Sequence, residues 1–344
     1  MPHSTFLRFI LPSLAAMLIF IAAPIVSVIV QSLHVEHAQV LKEAETCDPF
    51  SGCKKTTTVD VAATAKLRAQ EPLGRFNGLG TYLDRAHLAS AEVAQAWAAS
   101  TSVGEFGSRL MSLPFYQAMA FTLTYTFVVT PFVIVLGMLI ALVINGLPAI
   151  FKGPTIFVSL LPMIVTPLIG SMVLFWMIDA RGIIGSSLQT LTGDPNLSLK
   201  ASPILTWVTL IIYGVWHSAP FAFITFYAGL QSVSTDTLEA AMIDGASRWE
   251  RLRYVVIPHM APLVVFVMLI QLMDNFRVFE PIVGFSAAAN ASSLSYNIYN
   301  DLAKASPSYG SAAATSMLTV LGVAVLLIPV LVRTWRDFNS RRVS

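Results

Sequence analysis

The sequence predicts an all-α integral membrane protein with six membrane-crossing helices and one long loop after the first of them. Three observations carry that prediction. Of the 344 residues, 55% are hydrophobic and only 12% are charged, where a soluble domain carries roughly 25% charged residues. The mean hydropathy is +0.70. And six apolar stretches have the length of about 20 residues that a helix needs to cross a bilayer.

Taken in order, the first stretch is Phe9–Leu33, which contains no charge. It is longer than the roughly 7–15 residues of a signal-peptide core, so it reads as a retained helix. Phe115–Ile144, Pro154–Ile178 and Ser311–Val332 are also uncharged, and Pro203–Leu230 carries only His217. Pro262–Phe285 differs, with Asp274, Arg277 and Glu280 in its second half. Pro12, Pro24, Pro131, Pro162 and Pro167 lie inside these runs; packed membrane helices tolerate proline because neighbours satisfy the freed carbonyls. The segment His34–Pro114 is mixed in polarity, and Ala86–Ala99 within it reads as a helix.

Orientation follows from Lys and Arg in short loops. With the amino terminus inside, Arg8, Lys152, Arg248, Arg251, Arg253, Arg333, Arg336, Arg341 and Arg342 are inner, against Arg181, Lys200 and Lys304 outside. Both termini are therefore expected in the cytoplasm. The long loop is then external, where an oxidising compartment allows Cys47 and Cys53 to pair. Such a short closed loop would stabilise by at most about 2 kcal/mol; two free thiols are the other reading.

Composition also excludes. A formal net charge of +2 without a dense basic patch gives no nucleic-acid footprint. Two cysteines are too few for a disulfide scaffold, and no metal-ligand set accompanies them. No GxxxxGK[ST] occurs, so the chain should not hydrolyse ATP itself. No paired broken helices mark the inverted repeats of a secondary transporter.

Asp236–Pro262 is a charged island between two apolar runs. Asp236 with Glu239, and Ser247 with Glu250, are spaced as capping boxes that start two short helices. Leu238, Ala241, Met242 and Gly245 give the first a narrow small-residue face. Gly245 suits the left-handed residue that ends a helix. Trp249, Leu252, Val255 and Val256 form the apolar face of the second, Pro258 is expected to stop it, and Pro262 fits the first turn of the next helix. Glu239-Ala240-Ala241, then Asp244-Gly245-Ala246, Leu252, Val255, Pro258 and Pro262, resemble the EAA loop of ABC importer permeases, with Leu252 and Val255 in place of the usual Phe and Ile.

The polar segment Gln271–Glu280 is the second feature. Counting from Pro262 at about 1.5 Å per residue, Asp274 falls about 18 Å into a core roughly 30 Å thick, Arg277 about 22 Å and Glu280 about 27 Å. An ionised group near the centre costs about 2.5–3.5 kcal/mol on insertion scales, so these residues should face the bundle interior or an aqueous cavity. Gln271, Asp274 and Asn275 are spaced to share a face, and Asp274–Arg277 and Arg277–Glu280 to form ion pairs. Carboxylates, amides and Arg suit sugar hydroxyls, and Phe276 or Phe279 could stack on a sugar ring; an internal ion-pair network is the alternative. The stretch resembles the "DxxRVFD" segment that follows the EAA loop in carbohydrate-importer permeases, with Glu280 for Asp; Pro281 and the missing Gly-Gly-Pro depart from it. Leu161-Pro162 through Trp176, Trp216–Phe221 with Ala228–Ser232, and Phe76–Tyr82 are similar to further segments of that family.

The resemblance implies a type I ABC importer permease fold of the maltose/trehalose-type sugar-uptake family. It implies an N-terminal helix over 1–33, a periplasmic loop over 34–114 with an insertion, a five-helix core over 115–335 with a coupling loop over 234–261, and a tail over 336–344. It implies a bacterial inner-membrane location, a second permease subunit in a heterodimer, two ATPase subunits that hold ATP and magnesium, and a periplasmic substrate-binding protein. Glu239, Ala240, Ala241, Asp244, Gly245 and Ala246 would be the ATPase-coupling positions. Gln271, Asp274, Asn275, Arg277, Phe279 and Glu280 would be the substrate contacts, with no catalytic or metal site. Other small solutes, an ion-coupled transporter, and a hydrolase using a serine with His217 are the alternatives.

Overall fold

The computed structural model describes residues 3–48 and 52–340. Its helices, in chain order, are α1 (His3–Met17), α2 (Ala23–Ser32), α3 (Val61–Gln70), α4 (Gly80–Leu83), α5 (Ser90–Ala99), α6 (Val103–Leu110), α7 (Pro114–Asn145), α8 (Ala149–Ile164), α9 (Pro167–Met177), α10 (Ile183–Thr192), α11 (Pro203–Gln231), α12 (Thr235–Ile243), α13 (Arg248–Arg251), α14 (Ile257–Phe276), α15 (Glu280–Gly284), α16 (Leu294–Ala303) and α17 (Tyr309–Ser340). Four short strands interrupt them: β1 (His34–Val35), β2 (Leu41–Asp48), β3 (Gly52–Val59) and β4 (Arg75–Phe76). Among the described residues, Phe9–Ser32, Pro114–Asn145, Pro203–Gln231, Arg248–Phe276 and Tyr309–Arg336 are long and apolar enough to cross a membrane. The pair α8–α9 has the length and apolarity of a sixth span only if its two helices, bent by 93° at their break, are taken together.

Proline explains three departures from straight helices. A π turn, Leu18–Ala22, joins α1 to α2 just before Pro24, and another, Leu252–Val256, joins α13 to α14 just before Pro258. Proline lacks an N–H and its ring collides with the carbonyl four residues back; a widened turn passes that obstacle. Pro258 therefore does not stop the second short helix, and Pro262 lies inside α14 rather than in its first turn. Pro167 does break its span: it takes the first position of α9, where the missing N–H is harmless.

The chain divides into two compact units, Met1–Tyr116 with Asn297–Thr319, and Gln117–Tyr296 with Val320–Ser344. In the first, β1 pairs antiparallel with β4 and closes the base of the long loop. Strands β2 and β3 form a hairpin in which Cys47 stands opposite Cys53; the two thiols lie outside the described portion. This hairpin is a difference from the all-helical expectation, and the β-branched run Thr56–Val59 is its propensity signal. Helix α5 begins at Ser90 because Ala89 adopts a left-handed φ of 45°, so the expected Ala86–Ala99 helix forms without its first four residues. Helix α6 begins at a Ser102 cap that accepts from Glu105 N at 3.2 Å. Glu105 reaches back to Thr101 N at 3.0 Å and is held at a pKa of about 2, first by that backbone bond and then by Arg109.

In the second unit, α7, α11 and α14 supply much of a core containing Phe121, Tyr125, Val129, Tyr213, Phe223, Phe226, Met260 and Val267. Helices α7 and α11 approach closely at Gly137, where a Cβ would sit 2.6 Å from that of Ala222. Gly284 in α15 lies so close to α9 that a Cβ would run into Ser171 Oγ and stand 2.9 Å from the Leu168 carbonyl.

Candidate functional site

Two local structures position the residues singled out by sequence. The first is the elbow α12–Gly245–α13. Helix α12 starts at Thr235 after an N-cap at Ser234 whose side chain makes no capping bond. Asp236 is therefore in the first turn and Glu239 too far along to reach back, so the Asp236–Glu239 box is not formed. The first-turn carboxylate still complements the helix dipole.

The end of α12 follows the sequence expectation. Gly245 has φ +82°. Gly245 N donates to Met242 O at 3.0 Å and Ala246 N to Ala241 O at 2.9 Å, the paired bonds of a Schellman ending. Two residues on, Ser247 caps α13: Glu250 N donates to Ser247 Oγ at 3.3 Å, and Ser247 N donates to Glu250 Oε2 at 2.7 Å.

Glu239, Ala240, Asp244 and Gly245 are exposed, and Ala241 and Ala246 half-buried. The inward face is Leu238, Ala241, Leu252, Val255 and Val256. Met242 and Trp249 do not join it: they are 49% and 70% exposed, and Ile243, before the turn, is 86% exposed. The elbow is tied to three membrane helices at its root. Gln231 Nε2 donates to Asn145 Oδ1 at 2.9 Å, joining α11 to α7, and Ser232 Oγ lies 3.1 Å from His259 Nε2 of α14.

The second structure is the break after α14. The helix ends at Phe276, not at Phe285, because Pro281 has no N–H to bond back to Arg277; the chain restarts with Pro281 in the first turn of α15. The freed Val278 carbonyl accepts from Ser293 Oγ at 2.6 Å. The break separates the predicted polar set. Gln271 and Asn275 are buried, at 4% and 5% exposure; Asn275 Nδ2 donates to Thr130 Oγ1 of α7 at 3.0 Å and to Gln271 Oε1 at 3.3 Å. Asp274, Arg277 and Glu280 are exposed and Phe279 half-buried. Asp274 and Arg277 pair at 3.1 Å; among the described residues no Arg277–Glu280 ion pair forms. Asp274 is thus exposed where Gln271 and Asn275, on the same helix, are buried.

A second break lies beside it. Tyr213 Oη donates to the Pro167 carbonyl at 2.7 Å, and His217 Nε2 lies 3.2 Å from the Val165 carbonyl. A carbonyl only accepts, so that nitrogen carries the proton. His217 is occupied at the α8–α9 bend. Val165, Gly170, Val173, Leu174, Met177, Ile212, Tyr213 and Trp216 line a largely apolar cavity of about 460 Å³ there. Sequence reading missed Thr130 and Tyr213; a buried hydroxyl on an apolar helix is the only signal either leaves.

The family described as the binding-protein-dependent transport system inner membrane component matches residues 100–344. The trehalose/maltose transport system permease protein MalF of Thermococcus litoralis is 27% identical over 64% of this chain and 76% of its own length. A probable ABC transporter permease protein of Sinorhizobium fredii, y4oQ, is 30% identical over 68% of this chain and 75% of its own. In fold, the chain is similar to the crystal structure of a bacterial ABC transporter involved in the import of the acidic polysaccharide alginate, with a TM-score of 0.59 and 20% identity over 80% of this chain and 97% of that one.

Proposed function

The chain belongs to the family of binding-protein-dependent transport system inner membrane components, and from that premise we propose that it is the permease subunit through which an ATP-driven importer moves a sugar or sugar derivative into the cell. The observation that supports this most is the elbow. It presents Ile243 and Trp249 at 86% and 70% exposure on a turn fixed by a Schellman ending and a capping box. Exposed large apolar side chains gathered on one rigid turn fit a partner protein. In this reading the partner is one of two ATPase subunits, which carry ATP and magnesium.

The elbow lies on the cytoplasmic side in this reading, as do both termini, by the balance of Lys and Arg. Movement of the ATPase pair carries α12 and α13, and their root bonds to Asn145 and His259 pass that movement to α7, α11 and α14. A second permease subunit completes the pathway, and a periplasmic binding protein delivers the substrate. The substrate contacts narrow to Asp274, Arg277, Phe279 and Glu280 at the α14–α15 break. Their carboxylates and guanidinium suit pairs of sugar hydroxyls, and Phe279 offers an apolar face. Gln271 and Asn275 hold this segment to Thr130.

Reconstitution tests the reading. The chain, purified with its partners in vesicles containing binding protein, is expected to take up a sugar only when ATP is hydrolysed. Uptake driven by an ion gradient without ATP would overturn it.

A further inference from the structure

In the first unit, the loop residues Asp84–Leu88 are clasped to the start of the last helix through the His87 side chain. His87 is 0% exposed. Its Nδ1 lies 2.7 Å from Asp84 Oδ1 and its Nε2 3.0 Å from the Ser311 carbonyl of α17. Both partners accept hydrogen bonds and neither donates one. The Ser311 hydroxyl, 3.4 Å from Nε2, could supply a proton to a neutral ring, but it donates at 2.5 Å to Asp301 Oδ2 of α16. Each ring nitrogen therefore carries its own proton. We propose that His87 is a buried imidazolium and that its deprotonation opens a pH-sensitive clasp between the long loop and the start of the last membrane helix.

Asp84 comes from the loop and Asp301 from α16, and Lys304 Nζ sits 2.6 Å from the other Asp301 oxygen. Glu36 occupies the neighbouring Gly310 amide at 2.6 Å. With His87 charged, Asp84, Asp301, Glu36, His87 and Lys304 sum to −1 rather than −2; with it neutral, the ring keeps a single N–H, so either Asp84 or the Ser311 carbonyl faces a bare nitrogen. Burial alone lowers the His87 pKa, but the bonds to Asp84 and to the Ser311 carbonyl outweigh it, and the net direction is upward.

The sign follows. A group whose pKa is raised on folding contributes stability in full below its unfolded value of about 6.5 and loses it as pH rises through the folded value. The clasp is closed in acid and loosens toward alkaline pH. It holds whether or not the chain carries sugar, and its readout is structural.

Hydrogen exchange across pH 6–9 on the assembled complex in nanodiscs tests it. His87 N and Leu88 N donate to Asp84 O and Tyr82 O at 3.1 and 3.0 Å and report the loop. After correction for intrinsic exchange, their protection is expected to fall by up to about tenfold per pH unit between the two histidine values. His87→Gln should give a flat profile, and Asp84→Asn should move the fall to lower pH. A wild-type profile as flat as that of His87→Gln, or one unmoved by Asp84→Asn, would overturn the proposal. Should either variant fail to fold, the wild-type profile decides alone.

Discussion

The elbow and the α14–α15 break are both polar interruptions between apolar helices, yet they are held in opposite ways. The elbow is built from bonds between residues three to five apart in sequence: Gly245 to Met242, Ala246 to Ala241, Ser247 with Glu250. It is exposed along nearly its whole length. The break is fastened by long-range bonds, Asn275 to Thr130 and Val278 to Ser293, and Gln271 and Asn275 are buried. A locally made structure keeps its shape while its surface stays free for a partner. A structure made by tertiary bonds holds helices in place and leaves only its remaining side chains for a ligand.

That contrast can be broken by mutation. Asn275→Leu removes the donor shared by Thr130 and Gln271 and is expected to cost the most stability, about 1–2 kcal/mol on the scale of buried interhelical bonds in membranes; thermal unfolding in nanodiscs reads it. Unchanged unfolding would mean the break does not depend on α7. Gly245→Val forces a branched residue to φ +82°, a strain of about 1–2 kcal/mol. Because no atom lies within 4 Å of the new Cβ, no neighbour must shift, and ATP-driven uptake should fall in greater proportion than the unfolding temperature, which drops by no more than for Asn275→Leu. Equal losses in both would erase the distinction between the regions.

Two smaller effects sharpen it. Ser247→Ala loses the α13 cap at about 1 kcal/mol, and faster amide exchange over 248–251 alone is the expected signature. Asp274→Ala breaks an exposed pair, with side chains 53% and 58% exposed, which contributes roughly 0–1 kcal/mol. Stability should therefore hold while the half-saturating sugar concentration rises; a parallel loss of stability would assign the pair a structural role instead.

The same contrast explains what the sequence disclosed. The Schellman turn at Gly245 and the Ser247–Glu250 box were legible because each lies within a few residues. So were the spans, which need only length and hydropathy. The Asp236–Glu239 box failed because Ser234, two residues earlier, became the N-cap. Pro258 was misread as a stop because π widening is not written in periodicity. Pro281 was visible as a departure from the family segment, but the Ser293 hydroxyl that takes up the Val278 carbonyl at the break lies fifteen residues on. Asn275 bonds across 145 residues, and no local pattern separates it from Asp274 beside it.

Whether the elbow grips an ATP-hydrolysing subunit is tested most directly by a photo-crosslinking residue in place of Ile243, which is 86% exposed, in the complex assembled in native membranes. The expected result is an adduct with the ATPase subunit. An adduct with the periplasmic binding protein, or illumination that joins Ile243 to no protein in a complex that still transports, would contradict the account.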